Sequence, residues 1–366
     1  MSKQISFAIL TVPIPKGKKR FGPQESNFIK LANMARKKNV NLYVFSPESI
    51  SWTNKKIRAW SYNPAKGIWV RSLQEFPDVI YNRVPTRSKE KKYLVEKTIE
   101  SFMMKYQIPL FNPFFLDKVE IHEILARNAE AKEFLPEAII KPTYQQLIQF
   151  VNRKGKVYLK PAQSSVGRGI LVLEKNRSGE ILVRGIEGPN SSVKKSFDER
   201  KLKEFLAPQL KRRRFLAQEA IDLAEYEGRS FDIRTLIQKD GWGTWQLTGM
   251  GARVAAVGHH TTHVPNGGQT RSLQQVLKRI LPDIPSSPEQ VVDKIRAASL
   301  VAAKAIEGSY KKVFGEFSLD LALDKKGQLH IIEVNSKPFI FDERDVSQLA
   351  RQRLLDFGTY LIGQKK

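Results

Sequence analysis

The sequence predicts an α/β layered domain followed by a larger α+β unit of antiparallel and mixed sheet, and three observations carry that reading. Strand-like and helix-like patterns alternate through about residues 1–115. From Asp117 onward short strands separated by glycine-bearing loops take over. A long, well-capped helix then precedes an acidic hairpin near the C-terminus.

Ile5 to Val12 reads as a strand, Phe28, Leu31, Ala32 and Ala35 recur at helical spacing, and Asn41 to Phe45 reads as the next strand. An aromatic, turn-rich segment from Trp52 to Trp69 leads to a strand over Val79 to Val84. Val95, Ile99, Phe102, Met103 and Tyr106 then mark one helix face. The domain is expected to end near Asn112-Pro113, which gives units of 1–115 and 116–366, with a small glycine-loop lobe at about 156–217 inserted in the second.

Lys118 to Asn128 reads as a helix. Val157 to Lys160, Gly169 to Glu174, Glu180 to Arg184, Arg214 to Ala220, Ser230 to Gln238 and Thr244 to Val254 read as strands, with a turn at Asp240-Gly241. The long helix starts with Ser287 as N-cap, Pro288 at its first position and Gln290 completing a capping box, and is expected to stop at Gly308.

Composition excludes several chemistries. The 366 residues contain no cysteine, so disulfides, thiolate metal sites and a cysteine nucleophile are ruled out. No apolar stretch approaches the roughly 20 residues that span a bilayer and no signal-peptide pattern opens the chain, so a cytoplasmic location is expected. With 62 Lys and Arg against 37 Asp and Glu the formal net charge is +25, a field that attracts polyanions and weakens with salt. Basic clusters at Lys16 to Arg20, Lys89 to Lys92 and Lys211 to Arg214 are spread out and accompany no nucleic-acid motif, so solvated surface charge accounts for them.

The acidic hairpin is the sharpest chemical feature. Glu316 to Leu323, a turn at Asp324 to Gly327, and Gln328 to Asn335 form two strands. Phe317, Leu319, Leu321 and Leu323 share one face, which leaves Glu316, Ser318 and Asp320 on the other. With an even-numbered loop Asp320 and Glu333 share a face, and Asn335 joins them; an odd loop separates them. Two carboxylates and an amide oxygen suit Mg²⁺, while alternation alone equally suits a solvated polar face.

Upstream, Val157 to Pro161 delivers Lys160 at the end of an apolar strand, and Gln163 to Ile170 forms a serine- and glycine-bearing turn. Such a turn can cradle phosphate oxygens through backbone N–H groups, or be an ordinary hairpin turn. The glycine-lysine-serine order of a P-loop is absent, as is a dinucleotide fingerprint.

Taken in order, a lysine helix, a strand lysine with its glycine loop, an acidic strand, arginine strands and Asp-x12-Glu-x-Asn resemble the ATP-grasp superfamily over about residues 116–340. Tyr226 to Arg234, Gln238 to Gly241, Thr248 to Val254 and Glu333 to Pro338 narrow the resemblance to the YheC/YheD group associated with the bacterial endospore coat. It implies an ATP-grasp fold, two α+β lobes enclosing ATP, preceded by an N-terminal α/β pre-ATP-grasp-like domain.

The resemblance assigns Lys118 and Lys160 to phosphates beneath a loop containing Ser164, Ser165, Gly167 and Gly169. Glu219, Ala220 and Ile221 would read the adenine edge and Glu227 the ribose. Asp320, Glu333 and Asn335 would hold one or two Mg²⁺ ions, with Mn²⁺ an acceptable substitute. Arg234 and Arg253, with Asn335, would stabilise the transferring phosphoryl group. On the bare residues, Lys118 also reads as a surface helix residue, Glu219 as an edge charge, and Arg234 as a partner of Asp232, on the same strand face, or of another carboxylate.

The function implied is an ATP-dependent carboxylate–amine or carboxylate–thiol ligase working through an acyl phosphate. Its partners would be ATP, an unidentified carboxylate and an amine, with a peptide or spore-envelope component among the candidates. An ATP-binding coat protein without turnover and a basic polyanion-binding protein are the alternatives. His259, His260 and His263 read as part of a mobile substrate loop with Asn266, Gly267 and Gly268, ahead of a transition-metal site. Lys337 follows the hairpin as a cation available to an anionic substrate or as a surface charge.

Overall fold

A computed structural model describes residues 4–12, 19–163, 169–188, 191–256, 268–280, 285–338 and 344–364. The described residues build three sheets in succession. In the first, Ser6–Leu10 lies between Asn41–Phe45 and Val79–Asn82, all parallel, and Leu110–Phe111 extends the parallel set. Such strands are covered on both faces, which is why Ile5 to Val12 reads as a continuous apolar run.

The segment from Trp52 to Trp69 corrects the sequence reading. It contains the strand Lys56–Asn63 and the start of Ile68–Glu75, a long antiparallel hairpin at the sheet edge. Ile68, Val70 and Leu73 on that outer strand are exposed, so burial supplies no clean alternation there.

The second sheet is antiparallel, in the order Ser191–Phe197, Ile181–Gly188, Leu171–Lys175, Lys156–Pro161, Phe215–Glu219, Ala138–Ile140. Helices Tyr144–Lys154 and Glu199–Arg212 cover one face, packing Leu147, Phe150, Leu202 and Leu206 on Val157, Leu159 and Ala217. The opposite face presents Lys160 and Gln218.

The third sheet runs Gln269–Arg271, Trp245–Val254, Arg229–Lys239, Glu316–Leu323, Leu329–Asn335. Phe231, Ile233, Ile237, Phe317, Leu319 and Leu321 pack on Ile295, Ala298 and Ala302 of the long helix. That helix is Pro288–Tyr310 with the expected capping box; it does not stop at Gly308 but at Lys311, which takes φ 49°. Tyr310 continues the apolar contact onto Phe114 and Phe314, so packing carries the helix past the glycine.

Asn112 joins the first sheet to the third. Fully buried at φ 56°, it donates through Nδ2 to Glu316 O at 2.9 Å and accepts at Oδ1 from Gly315 N at 2.8 Å. The final helix, Arg344–Gly363, returns to the first sheet, placing Leu354, Leu355 and Phe357 against Phe7, Ile9 and Phe111.

Candidate functional site

The acidic hairpin is built by a device the sequence does not announce. Leu323 pairs with Leu329, Ala322 with His330 and Leu321 with Ile331, so residues 324–328 form a five-residue loop. Asp324 Oδ1 folds it by accepting from Lys326 N at 2.9 Å and Gln328 N at 2.8 Å. An odd loop in an unbroken ladder would set Ile332 opposite Asp320 and turn Glu333 to the core. The register shifts beyond Leu321: Asp320 pairs with Glu333 and Ser318 with Asn335. Ile332 is the extra residue of a β-bulge that restores both acids to one face.

The arginines reach the same place by strand pairing. Arg234 is opposite Asp320, and Asp232 is opposite Arg253. Arg253 grips Asp232 through Nε and Nη2, both at 2.7 Å, and lies 3.0 Å from Asp320 Oδ1. Arg234 Nη1 is 3.4 Å from the same Asp320 oxygen, and its Nη2 donates to Ser318 Oγ at 3.1 Å. The carboxylate beside Arg234 is thus the cross-strand Asp320, since a cross-strand neighbour is closer than the next same-face residue of one strand. Burial pushes the Arg253 guanidinium toward neutrality, but Asp320 and Asp232 outweigh it and hold its pKa above the ordinary value.

The lysines approach from the second sheet. Asp117 caps the helix Lys118–Arg127, accepting from Val119 N at 3.0 Å, and Lys118 N donates to Ala162 O just past the lysine strand. Lys118 Nζ then lies 2.6 Å from Glu333. Lys160 donates to Gln218 Oε1, and burial followed by the neighbouring Lys118 pushes its pKa down to about 8 against the opposing pull of Glu333. Lys118, Lys160, Gln218 and Glu333 line one open cleft.

Three residues of this neighbourhood escaped the sequence reading. His122, one turn beyond Lys118, lines the cleft; burial and then Lys160 push its imidazole down to about 4, so it is neutral. Its i+4 spacing from Lys118 was the available signal. Gln218 is marked by strand alternation against Glu219. Arg87, at the start of the helix Arg87–Lys92, feels Asp117, Glu333 and Glu90, although burial is the larger influence and lowers its pKa; only tertiary packing brings it there.

Glu219 is a correction. Its carboxylate binds Lys154 at 2.5 Å and accepts from Glu137 N at 2.7 Å, on the sheet face opposite Lys160 and Gln218. Adjacent strand residues point to opposite faces, so the side chain next to the cleft on this strand is that of Gln218. Ala220 N donates to Lys156 O, and Ile221 follows beyond the strand. Glu227 sits in a turn at φ 52° with its carboxylate on Arg229 at 2.7 Å. Gly169 takes φ 73° beside Pro161, a conformation that favours glycine. Ser164, Ser165, Gly167, the three histidines, Asn266 and Gly267 lie outside the described residues; Gly268 leads into Gln269–Arg271. Lys337 is not a surface charge: it is 9% exposed, paired with Glu90 and 4.7 Å from the Phe115 ring centroid.

Among the described residues no group of three His, Asp or Glu side chains forms a metal cage. The donor chemistry of Asp320, Glu333 and Asn335 nevertheless fits Mg²⁺, which takes one or two carboxylates and completes its octahedron with phosphate and water.

A small sheet presenting a lysine above a large sheet presenting arginines and paired acids defines an ATP-grasp ligase-like fold, an architecture that in general binds ATP with Mg²⁺. Residues 107–361 match the YheC/D-like ATP-grasp family, and the chain belongs to it. It is 28% identical over 342 residues to the endospore coat-associated protein YheD of Bacillus subtilis, covering 91% of this chain and 73% of that one. With YheC of the same organism it shares 24% identity over 310 residues, covering 84% and 83%. The fold is also that of D-cycloserine synthetase DcsG (TM-score 0.55, 12% identity, 98% and 100% covered). D-alanine–D-alanine ligase from Bacillus anthracis shows the same likeness (TM-score 0.55, 12% identity, 98% of each chain). Among the described residues no helix is long and apolar enough to cross a membrane.

Proposed function

We propose that this protein is an ATP-dependent ligase that activates a carboxylate as an acyl phosphate and passes the acyl group to an amine or thiol. The observation that carries this reading is the convergence of Lys118 on Glu333 while Arg234 and Arg253 converge on Asp320, directly across the hairpin. A substrate carboxylate oxygen would attack the γ-phosphorus and the bond to the β-phosphate oxygen would break, releasing ADP; the nucleophile would then attack the acyl carbon and expel phosphate.

Lys118 and Lys160 would neutralise the triphosphate, and the two arginines would meet the charge that builds on the phosphoryl oxygens. Asp320, Glu333 and Asn335 would hold Mg²⁺, which supplies Lewis-acid neutralisation of phosphate when bound. Asp232 keeps Arg253 in place through two hydrogen bonds and so presets its direction. The names of YheD and YheC support the endospore coat as the place of action.

The test is a rise in Tm with MgATP that Glu333→Ala abolishes, followed by a screen of carboxylate and nucleophile pairs for ADP release. Absence of the rise in the parent protein would refute the nucleotide site. A rise without ADP release across the screen would favour an ATP-binding coat protein.

A further inference from the structure

The hairpin of Lys56–Asn63 and Ile68–Glu75 ends the first sheet on a strand that, among the described residues, pairs on one side only. Ile68–Glu75 is eight residues long, pairs without a register shift and contains neither proline nor lysine. Sheet edges are ordinarily blunted by those residues, by bulges or by short strands, because a bare edge offers its free N–H and C=O groups to another chain. This edge also carries Ile68, Val70 and Leu73 at 50%, 43% and 62% exposure.

The strand is complementary to itself in one register. Side chains and outward-facing backbone groups both alternate with period two, so a two-fold pair of identical antiparallel strands centres on a residue rather than between two. Centred on Arg71, such a pair would set two guanidiniums against each other. Centred on Leu73, it sets Arg71 opposite the partner's Glu75 on both sides of the axis and Leu73 opposite itself. No other centre matches Arg71 with the one acid of the strand. On the other face Ser72 meets the partner's Gln74, both polar.

The match continues into the neighbouring strand. Glu75 stands opposite Lys56 and is ion-paired with it, yet its side chain is 72% exposed and open to a second cation. Arg71 stands opposite Trp60, with its guanidinium 5.5 Å from a ring centroid of that residue. Across the joint the row reads Lys56, Glu75, the partner's Arg71, the partner's Trp60, alternating in sign and ending on a cation–π contact.

We propose that Ile68–Glu75 binds the same strand of a second copy of this chain, antiparallel about Leu73, so that two first sheets join edge to edge. Nothing in this joint depends on the ligase reading, since no residue assigned to the nucleotide lies on the hairpin.

Sedimentation equilibrium of the full chain, from micromolar to near-millimolar concentration, tests this on the parent, Leu73→Lys, Arg71→Glu and Glu75→Lys, and on an equimolar mixture of the last two. The parent is expected to dimerise within that range. Leu73→Lys sets two ammonium groups against each other on the axis and should stay monomeric. Arg71→Glu and Glu75→Lys each create two like-charge pairs and should raise the dissociation constant roughly tenfold or more. Mixed, they restore both opposite-charge pairs and should form a heterodimer tighter than either variant forms alone. Recovery on mixing cannot come from a misfolded variant, so it separates a lost contact from a lost fold.

A parent that stays monomeric throughout overturns the proposal and leaves the edge to a strand of a different protein. A dimer indifferent to all three substitutions, or charge variants that do not recover when mixed, overturns it as well.

Discussion

Lys118 Nζ lies 2.6 Å from Glu333 Oε2, with the two side chains 14% and 29% exposed, so a helix cation occupies the carboxylate proposed as a metal ligand. Cation and metal therefore compete for Glu333 until triphosphate oxygens draw the lysine away. Mg²⁺ alone is expected to leave the Tm of the parent unchanged, whereas Lys118→Met should respond to Mg²⁺ alone. The same variant should bind ATP roughly tenfold more weakly, the scale of a lost charge-assisted hydrogen bond. Calorimetric titrations with Mg²⁺ and with MgATP check both halves; identical Mg²⁺ responses in the two proteins would refute the competition.

Lys160 gives a pH dependence of defined sign. Burial, and then Lys118, hold it at about 8 in the folded chain against an ordinary 10.5. The folded state therefore binds fewer protons between those values, the burial penalty is fully present below about pH 8, and stability recovers as pH rises toward 10.5. Without nucleotide, Lys160→Met should be more stable than the parent at about pH 7, by on the order of 2 kcal/mol after allowing for the partial exposure of the side chain. Denaturant melts at about pH 7 and about pH 9.5 should show the gap closing; a gap that widens with pH would contradict the assignment.

Much of the site was legible because strand alternation reports faces without any structure. Phe317, Leu319 and Leu321 point to the core, so Asp320 had to point away, and Asp232 with Arg234 had to share a face. Loop parity was not legible. The five-residue turn hides the Asp320–Glu333 pairing, and a sequence does not display which residue will bulge. Arg87 was invisible for a different reason, since it reaches its place through packing between elements far apart in the chain. Glu219 was assigned by motif, while its own alternation with Gln218 placed it on the other face.

Asp232 touches Arg253 twice at 2.7 Å and acts through it. Asp232→Asn keeps the volume but loses the ionic half of the grip, so Arg253 should turn further toward Asp320. The MgATP-induced rise in Tm is expected to survive, while kcat falls roughly tenfold or more with KM nearly unchanged, the pattern of a group that acts in the transition state. Steady-state ADP release on any active substrate pair separates the two parameters. A change confined to KM would make Asp232 a binding residue instead.

The C-terminal helix offers a stability test independent of the site. An added Cβ at Gly358 would lie 2.5 Å from Phe7 Cε2 and 2.9 Å from Cδ2, closer than real Cβ contacts, and Phe7 is fully packed in the core of the first sheet. Alanine is otherwise the better helix former, by about 1 kcal/mol over glycine, so propensity and packing pull in opposite directions. Overpacking of a dense core typically costs about 1–3 kcal/mol, and packing should win. Gly358→Ala is accordingly expected to lower stability by about 1 kcal/mol net. Gly363→Ala, with open space around its Cβ, should be neutral or slightly stabilising. Urea melts of both variants decide the matter: a Gly358→Ala protein more stable than the parent would mean that the helix is not seated on Phe7 in solution.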